Sequence, residues 1–136
     1  MKPRIVVIDD DPSACESLVW LLEAAGFPAD GFISGHNFLD STSPENRPAC
    51  VIVDVDMPDV SGIELIPLLR RRYLGIPIVV ITGYPDGRMA KPAARLEPDG
   101  FLTKPLDIVA LLELMDELVH PLRIPPNSQM KVSGGG

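Results

Sequence analysis

The sequence predicts an α/β domain: a doubly wound, five-stranded parallel sheet with helices on both faces. Short β-branched runs alternate with stretches of helical periodicity, the order produced when crossover helices join parallel strands. The runs Ile5–Ile8 and Val51–Val53 are apolar without interruption, as strands covered on both faces must be. Chemistry-bearing residues then stand at the ends of the runs: Asp9 and Asp10, Asp54, Thr82 and Lys104.

Taken in order, Ile5–Ile8 is the first strand, and Asp11 caps the helix after it, with Pro12 at the first helical position where a missing N–H costs least. Ala14, Leu18, Leu21, Leu22 and Ala25 recur at helical spacing, and Gly26 offers a stop. Ala29–Phe32 is a weaker strand, expected nearer an edge, and a second helix is expected around Gly35–Asp40. Val51–Val53 leads to a third helix over roughly Gly62–Tyr73, with Ile63, Leu65, Ile66 and Leu69 inward. Pro67 removes one backbone hydrogen bond from that helix. Ile78–Ile81 is the fourth strand. The segment 85–98 holds Pro85, Gly87, Pro92 and Pro98, so its helix should be short or distorted. Phe101–Thr103 is a short fifth strand. The last helix, about Leu106–Val119, turns Ile108, Leu111, Leu112, Met115 and Leu118 one way and Glu113, Asp116 and Glu117 another.

The chain has 136 residues, 46% of them hydrophobic and 23% charged, which suits one globular domain with a real core. The expected domain is 1–120, and the Pro- and Gly-rich stretch 121–136 reads as a flexible tail or linker. No apolar run approaches the roughly 20 residues that cross a bilayer. The start, MKPRIVVIDD, lacks a leader's apolar core and cleavage site, so a cytoplasmic protein with no membrane contact is expected. A net charge of −7 argues against direct nucleic-acid contact by this domain, since phosphate binding needs clustered Lys and Arg. The basic run Arg70-Arg71-Arg72 reads as the solvated last turn of a helix. Cys15 and Cys50 read as buried, reduced thiols, and His36 and His120 as solvated or structural.

In an open parallel sheet, ligands bind beyond the C-terminal strand ends, where Asp9, Asp10, Asp54, Thr82 and Lys104 converge. Three neighbouring carboxylates repel unless one is protonated or a cation sits among them. An all-oxygen donor set suits Mg²⁺, which often bridges carboxylates to phosphate. A lysine and a threonine hydroxyl complete a phosphoryl-transfer site, where positioning and charge neutralisation do most of the catalysis. Asp54 is the candidate nucleophile.

The strings VVIDDD (6–11), VIVDVDMPDVSGIEL (51–65), VVITG (79–83) and FLTKP (101–105) resemble the motifs of the receiver family of two-component signalling, in the family's order, over about residues 4–119. The resemblance implies a flavodoxin-like sheet of order 2-1-3-4-5. It implies that Asp54 accepts a phosphoryl group from a sensor histidine kinase or phosphotransfer protein. It implies Mg²⁺ held by Asp9, Asp10 (the more direct ligand), Asp54 and the backbone carbonyl of Asp56, with Asp11 left as the helix cap. It gives Thr82 a move toward the phosphoryl group, Lys104 a pairing with it, and Phe101 the aromatic switch position. It also implies a cis bond before Pro105. From the residues alone, Phe101 reads as a simple core aromatic rather than a switch.

Two features depart from the family pattern. The Pro-rich 85–98 segment replaces a more regular fourth helix on the surface that receivers use for output and dimerisation. Asp56 adds an acid near the site, and with Tyr84 it is expected to alter the lifetime of the aspartyl phosphate. Two alternatives stand beside this reading, and its output also divides. Asp54-Val55-Asp56 also resembles the nucleophile motif of haloacid-dehalogenase-type phosphatases, but there the motif follows the first strand and the acidic pair lies downstream. The chain can instead be a phosphorylation-insensitive interaction module. Its output can be protein contact by a single-domain regulator or a DNA-binding domain, since the motifs resemble receivers that precede helix-turn-helix domains; a homodimer through the fourth or fifth helix region is a separate expectation.

Overall fold

The computed structural model describes residues 4–57 and 62–119. The expected tail 121–136, His120 and residues 58–61 of the second motif lie outside the described residues.

Five strands, β1 (Ile5–Ile8), β2 (Ala29–Phe32), β3 (Cys50–Asp54), β4 (Ile78–Thr82) and β5 (Gly100–Thr103), form one sheet in the order β2-β1-β3-β4-β5. Every pairing is parallel. The helices are α1 (Pro12–Ala24), α2 (Gly35–Ser41), α3 (Gly62–Arg72), α4 (Ala90–Arg95) and α5 (Ile108–Val119). The side-chain alternation of the central strands builds two cores. Val6, Ile8, Val51, Val53 and Val80 meet Phe38, Leu65, Ile66, Leu69 and Ala93 of α2, α3 and α4. Ile5, Val7, Ile52, Val79 and Ile81 meet Cys15, Leu18, Leu22, Leu111 and Met115 of α1 and α5. The doubly wound sheet with helices on both faces follows, with the weak strand β2 at an edge.

Local chemistry explains the helix starts. The Asp11 carboxylate accepts from the amides of Ser13 (3.0 Å) and Ala14 (3.4 Å), as a cap should. Ser34 Oγ accepts from Asn37 N at 2.9 Å and Asp107 Oδ1 from Ala110 N at 3.1 Å. Gly26, at φ 96°, follows α1 in the left-handed region that glycine enters without strain. Gly62 opens α3 where a Cβ would come within 2.8 Å of Val53 and 2.9 Å of Val55, so the helix start can lie against β3. The helix continues through Pro67, whose ring is exposed and whose missing N–H is the one that would reach the carbonyl of Ile63.

Three sequence expectations need correction. The buried stripe of α1 is Cys15, Leu18 and Leu22; Ala14 and Leu21 sit at its margin and Ala25 is exposed. Ile108 faces outward at the start of α5 and is 49% exposed, leaving Leu111 and Met115 as its buried residues. Of the basic run, only Arg71 is exposed. Arg70 donates to the carbonyls of Leu96 (2.6 Å) and Glu97 (3.1 Å), and Arg72 to those of Leu39 (2.7 Å) and Thr42 (3.2 Å). Both guanidiniums thus tie α3 to neighbouring segments, because their forked donors reach two carbonyls each.

The short or distorted fourth helix expected from the prolines is a six-residue α4, ended by Glu97 at φ 53°. The peptide bond Lys104–Pro105 is cis. Cys15 and Cys50 are buried free thiols, and burial pushes the Cys50 thiol up to about 12. Among the described residues, no helix is long and apolar enough to cross a membrane.

Candidate functional site

The parallel ladder carries its chemistry to one edge. Register pairs Ile8 with Val53, Asp54 with Ile81, and Thr82 with Thr103. Backbone bonds extend it past the strand ends, from Asp9 N to Phe32 O (3.0 Å), Val55 N to Ile81 O (3.0 Å) and Lys104 N to Thr82 O (2.8 Å). Asp9, Asp54, Thr82 and Lys104 are therefore positioned by the hydrogen-bonded ladder of the sheet.

Carboxylate oxygens of Asp9, Asp10 and Asp54 lie within 4.8 Å of one another. Asp9 and Asp54 are each 5% exposed, whereas Asp10 faces solvent. Lys104 Nζ bridges the two buried acids, donating to Asp54 Oδ2 at 2.8 Å and Asp9 Oδ2 at 3.1 Å. The remaining oxygens are also engaged: Asp9 Oδ1 accepts from Asp11 N at 3.0 Å and Asp54 Oδ1 from Asp56 N at 2.7 Å.

The electrostatics show what the pocket lacks. Burial raises the Asp9 carboxyl above the usual range; the Asp11 amide opposes this, the Asp54 charge adds to it, and Lys104 opposes it again. Burial alone would lower the Lys104 ammonium, but the hydrogen bond and charge of Asp54, then those of Asp9, raise it well above its ordinary value. One lysine thus faces three clustered acids, a deficit that a divalent cation would relieve. The donors are all oxygen, the set a hard ion such as Mg²⁺ takes, so the residues fit that metal.

Thr82 is fully buried and its hydroxyl lies 3.1 Å from both oxygens of Asp56. The amide of Gly83 donates to Asp56 Oδ2 at 2.8 Å, and that of Tyr84 to Thr82 Oγ1 at 3.0 Å. The Tyr84 ring is exposed. Sequence reasoning placed the carboxylate of Asp56 near the reacting group and missed its engagement with Thr82. A signal was available: an acid just past β3 beside a Thr-Gly at the end of the neighbouring β4. Phe101 is half-buried, packed against the α2–α4 core, and lines a groove of about 450 Å³ with Ala90, Ala94 and Pro98. Asp11 is a cap and not part of the cluster, and His36 is exposed on α2.

Comparison with known proteins matches residues 5–116 to the response regulator receiver domain. The transcriptional regulatory protein FixJ of Azorhizobium caulinodans is 40% identical over 106 residues, 78% of this chain and 50% of that protein. A response regulator receiver protein from Burkholderia phymatum, known as a crystal structure, superposes with a TM-score of 0.73 at 36% identity, covering 87% of this chain and 95% of that one. The crystal structure of FixJ-N superposes with a TM-score of 0.76 at 31% identity, covering 92% of this chain and 100% of that one. The chain spans about half the length of the FixJ proteins it matches.

Proposed function

The chain belongs to the response regulator receiver domain family, the phosphoacceptor switches of two-component signalling, and on that premise we propose that Asp54 is its phosphoacceptor. The observation that carries this reading is the pairing of a buried strand-end carboxylate with Lys104 Nζ at 2.8 Å beside two further acids. The donor is a phosphohistidine of a sensor histidine kinase or phosphotransfer protein. An Asp54 oxygen attacks phosphorus, the P–N bond breaks, and the leaving imidazole takes up a proton. Asp9, Asp10, Asp54 and the main-chain carbonyl of Asp56 would hold Mg²⁺, which would supply neutralisation of phosphoryl charge. Lys104 then exchanges its ion pair with Asp54 for one with the phosphoryl oxygens, and the Thr82 hydroxyl turns to donate to another. Phe101 follows Thr82, carrying the change to the face around α4 and β5.

The proposal extends to the surroundings of the site. The domain comprises 1–120, with 121–136 as a tail or linker, and works in the cytoplasm without direct nucleic-acid or membrane contact. The output partner, a homodimer through the α4–α5 region among the candidates, reads the switch. The domain also catalyses its own dephosphorylation, and Asp56 changes that rate; equal phosphate lifetimes in wild type and Asp56→Asn would end the latter idea.

Incubation with Mg²⁺ and acetyl phosphate, followed by intact-mass measurement, tests the central point. A single acid-stable, base-labile phosphate is expected on wild type and not on Asp54→Asn. No adduct, together with no binding of beryllofluoride, would leave a phosphorylation-insensitive interaction module instead.

A further inference from the structure

A hydroxyl carries one hydrogen and can donate it to one acceptor group at a time. In this structure the Thr82 hydrogen is directed at the Asp56 carboxylate, whose two oxygens both lie 3.1 Å from Thr82 Oγ1. A phosphoryl group on Asp54 needs that same hydrogen. Asp56 and the phosphoryl group are therefore competitors, and we infer that the Asp56 carboxylate is a latch that holds Thr82 and the start of the β4–α4 segment in the resting arrangement. This inference rests on the phosphoacceptor reading of Asp54 and assigns a positioning role to a side chain two residues beyond it.

Three contacts make the latch a unit. Asp56 Oδ2 takes the Gly83 amide at 2.8 Å, and Thr82 Oγ1, itself held by Asp56, takes the Tyr84 amide at 3.0 Å. Releasing the carboxylate thus loosens three consecutive residues leading toward α4. The cation of the pocket is engaged elsewhere, because Lys104 Nζ lies between Asp9 and Asp54. The groups facing the Asp56 carboxylate are a neutral hydroxyl and an amide, contacts strong enough to hold and weak enough to exchange. The latch also senses the acceptor directly. The Asp56 amide donates to Asp54 Oδ1 at 2.7 Å, so the two residues are locked in register, and added negative charge on Asp54 repels the carboxylate of Asp56.

A hydrogen bond to a charged group shifts such an equilibrium by roughly tenfold or more. The experiment is a double-mutant cycle on wild type, Asp56→Ala, Thr82→Ala and the double variant, with beryllofluoride affinity measured at saturating Mg²⁺ by amide NMR. Asp56→Ala is expected to bind roughly tenfold tighter than wild type. Without ligand, its α4 amides should lie displaced toward their positions in beryllofluoride-loaded wild type. In the Thr82→Ala background the same substitution should change the affinity little. Asp56→Asn keeps one acceptor oxygen without the charge, and should return the α4 amides toward their wild-type positions. If Asp56→Ala does not fold, Asp56→Val, which also lacks an acceptor, takes its place with the same expected outcomes. The latch is overturned if Asp56→Ala tightens binding equally without Thr82, since the effect would then be bulk charge, or if affinity is unchanged while wild type binds normally. Wild type that binds no beryllofluoride would instead bring down the Asp54 reading, and the latch with it.

Discussion

The pocket at the ends of β1, β3 and β5 and the segment that follows β4 are held by different physics. In the pocket, Asp9 and Asp54 are extensions of strands whose residues are all buried, and their charges are tied to Lys104 by two short hydrogen bonds. Past β4, the chain runs through an exposed Tyr84, Pro85 and Asp86 into a six-residue helix that buries only Ala90 and Ala93. That helix is too short to be stable by itself, and its closing carbonyls depend on a guanidinium from α3. The groups proposed to react are thus fixed by the core, while the element proposed to report the reaction is short and thinly packed, where opening costs less.

Breaking the strong side should produce the largest stability effect. Leu69 is fully buried on α3 against the central strands, and Leu69→Ala should destabilise the fold by about 3 kcal/mol in urea denaturation. Next comes the pocket's own cation. Lys104→Ala leaves Asp9 and Asp54 facing each other uncompensated and should cost about 1–2 kcal/mol without metal, the figure being reduced because the lysine side chain is 34% exposed. Added Mg²⁺ should restore more stability to this variant than it adds to wild type, as thermal melts with and without the metal would show; equal gains would mean the metal does not share the lysine's place.

On the weak side, Arg70→Ala removes the donors to Leu96 and Glu97 and should cost about 1 kcal/mol. Its signature is faster hydrogen exchange confined to α4 with Leu69-type core amides still protected; uniform acceleration would contradict the division drawn here. The smallest effect is a null one with a clear reading. Cys50 is buried on β3 with its thiol pushed up to about 12, and burial likewise raises Cys15 on α1, so neither should react with a thiol reagent at pH 8 until the protein is unfolded. Rapid labelling of either in the native state would show the α1–α5 core to be looser than its packing implies.

Much of this was legible in the chain itself. Uninterrupted apolar runs announce strands covered twice, because only burial on both faces tolerates them, and the acids at their ends then fall at one edge of the sheet. Asp11 followed by Pro12 announces the first helix through local hydrogen bonding alone, and the three prolines and one glycine of 85–98 forecast a short α4 for steric reasons. These signals are local or periodic, so they survive without knowledge of what packs against what. The centre of the α1 stripe, the outward Ile108, the capping work of Arg70 and Arg72, and the partner of the Asp56 carboxylate were decided elsewhere. Each depends on which long side chain meets which carbonyl, hydroxyl or helix face across 26 or more positions of sequence, or on how a helix is rolled against the sheet. Sequence by itself determined which residues carry charge and at which strand ends they stand; only the tertiary structure decided which of them touch, because contact is set by the register of the sheet and the roll of its helices.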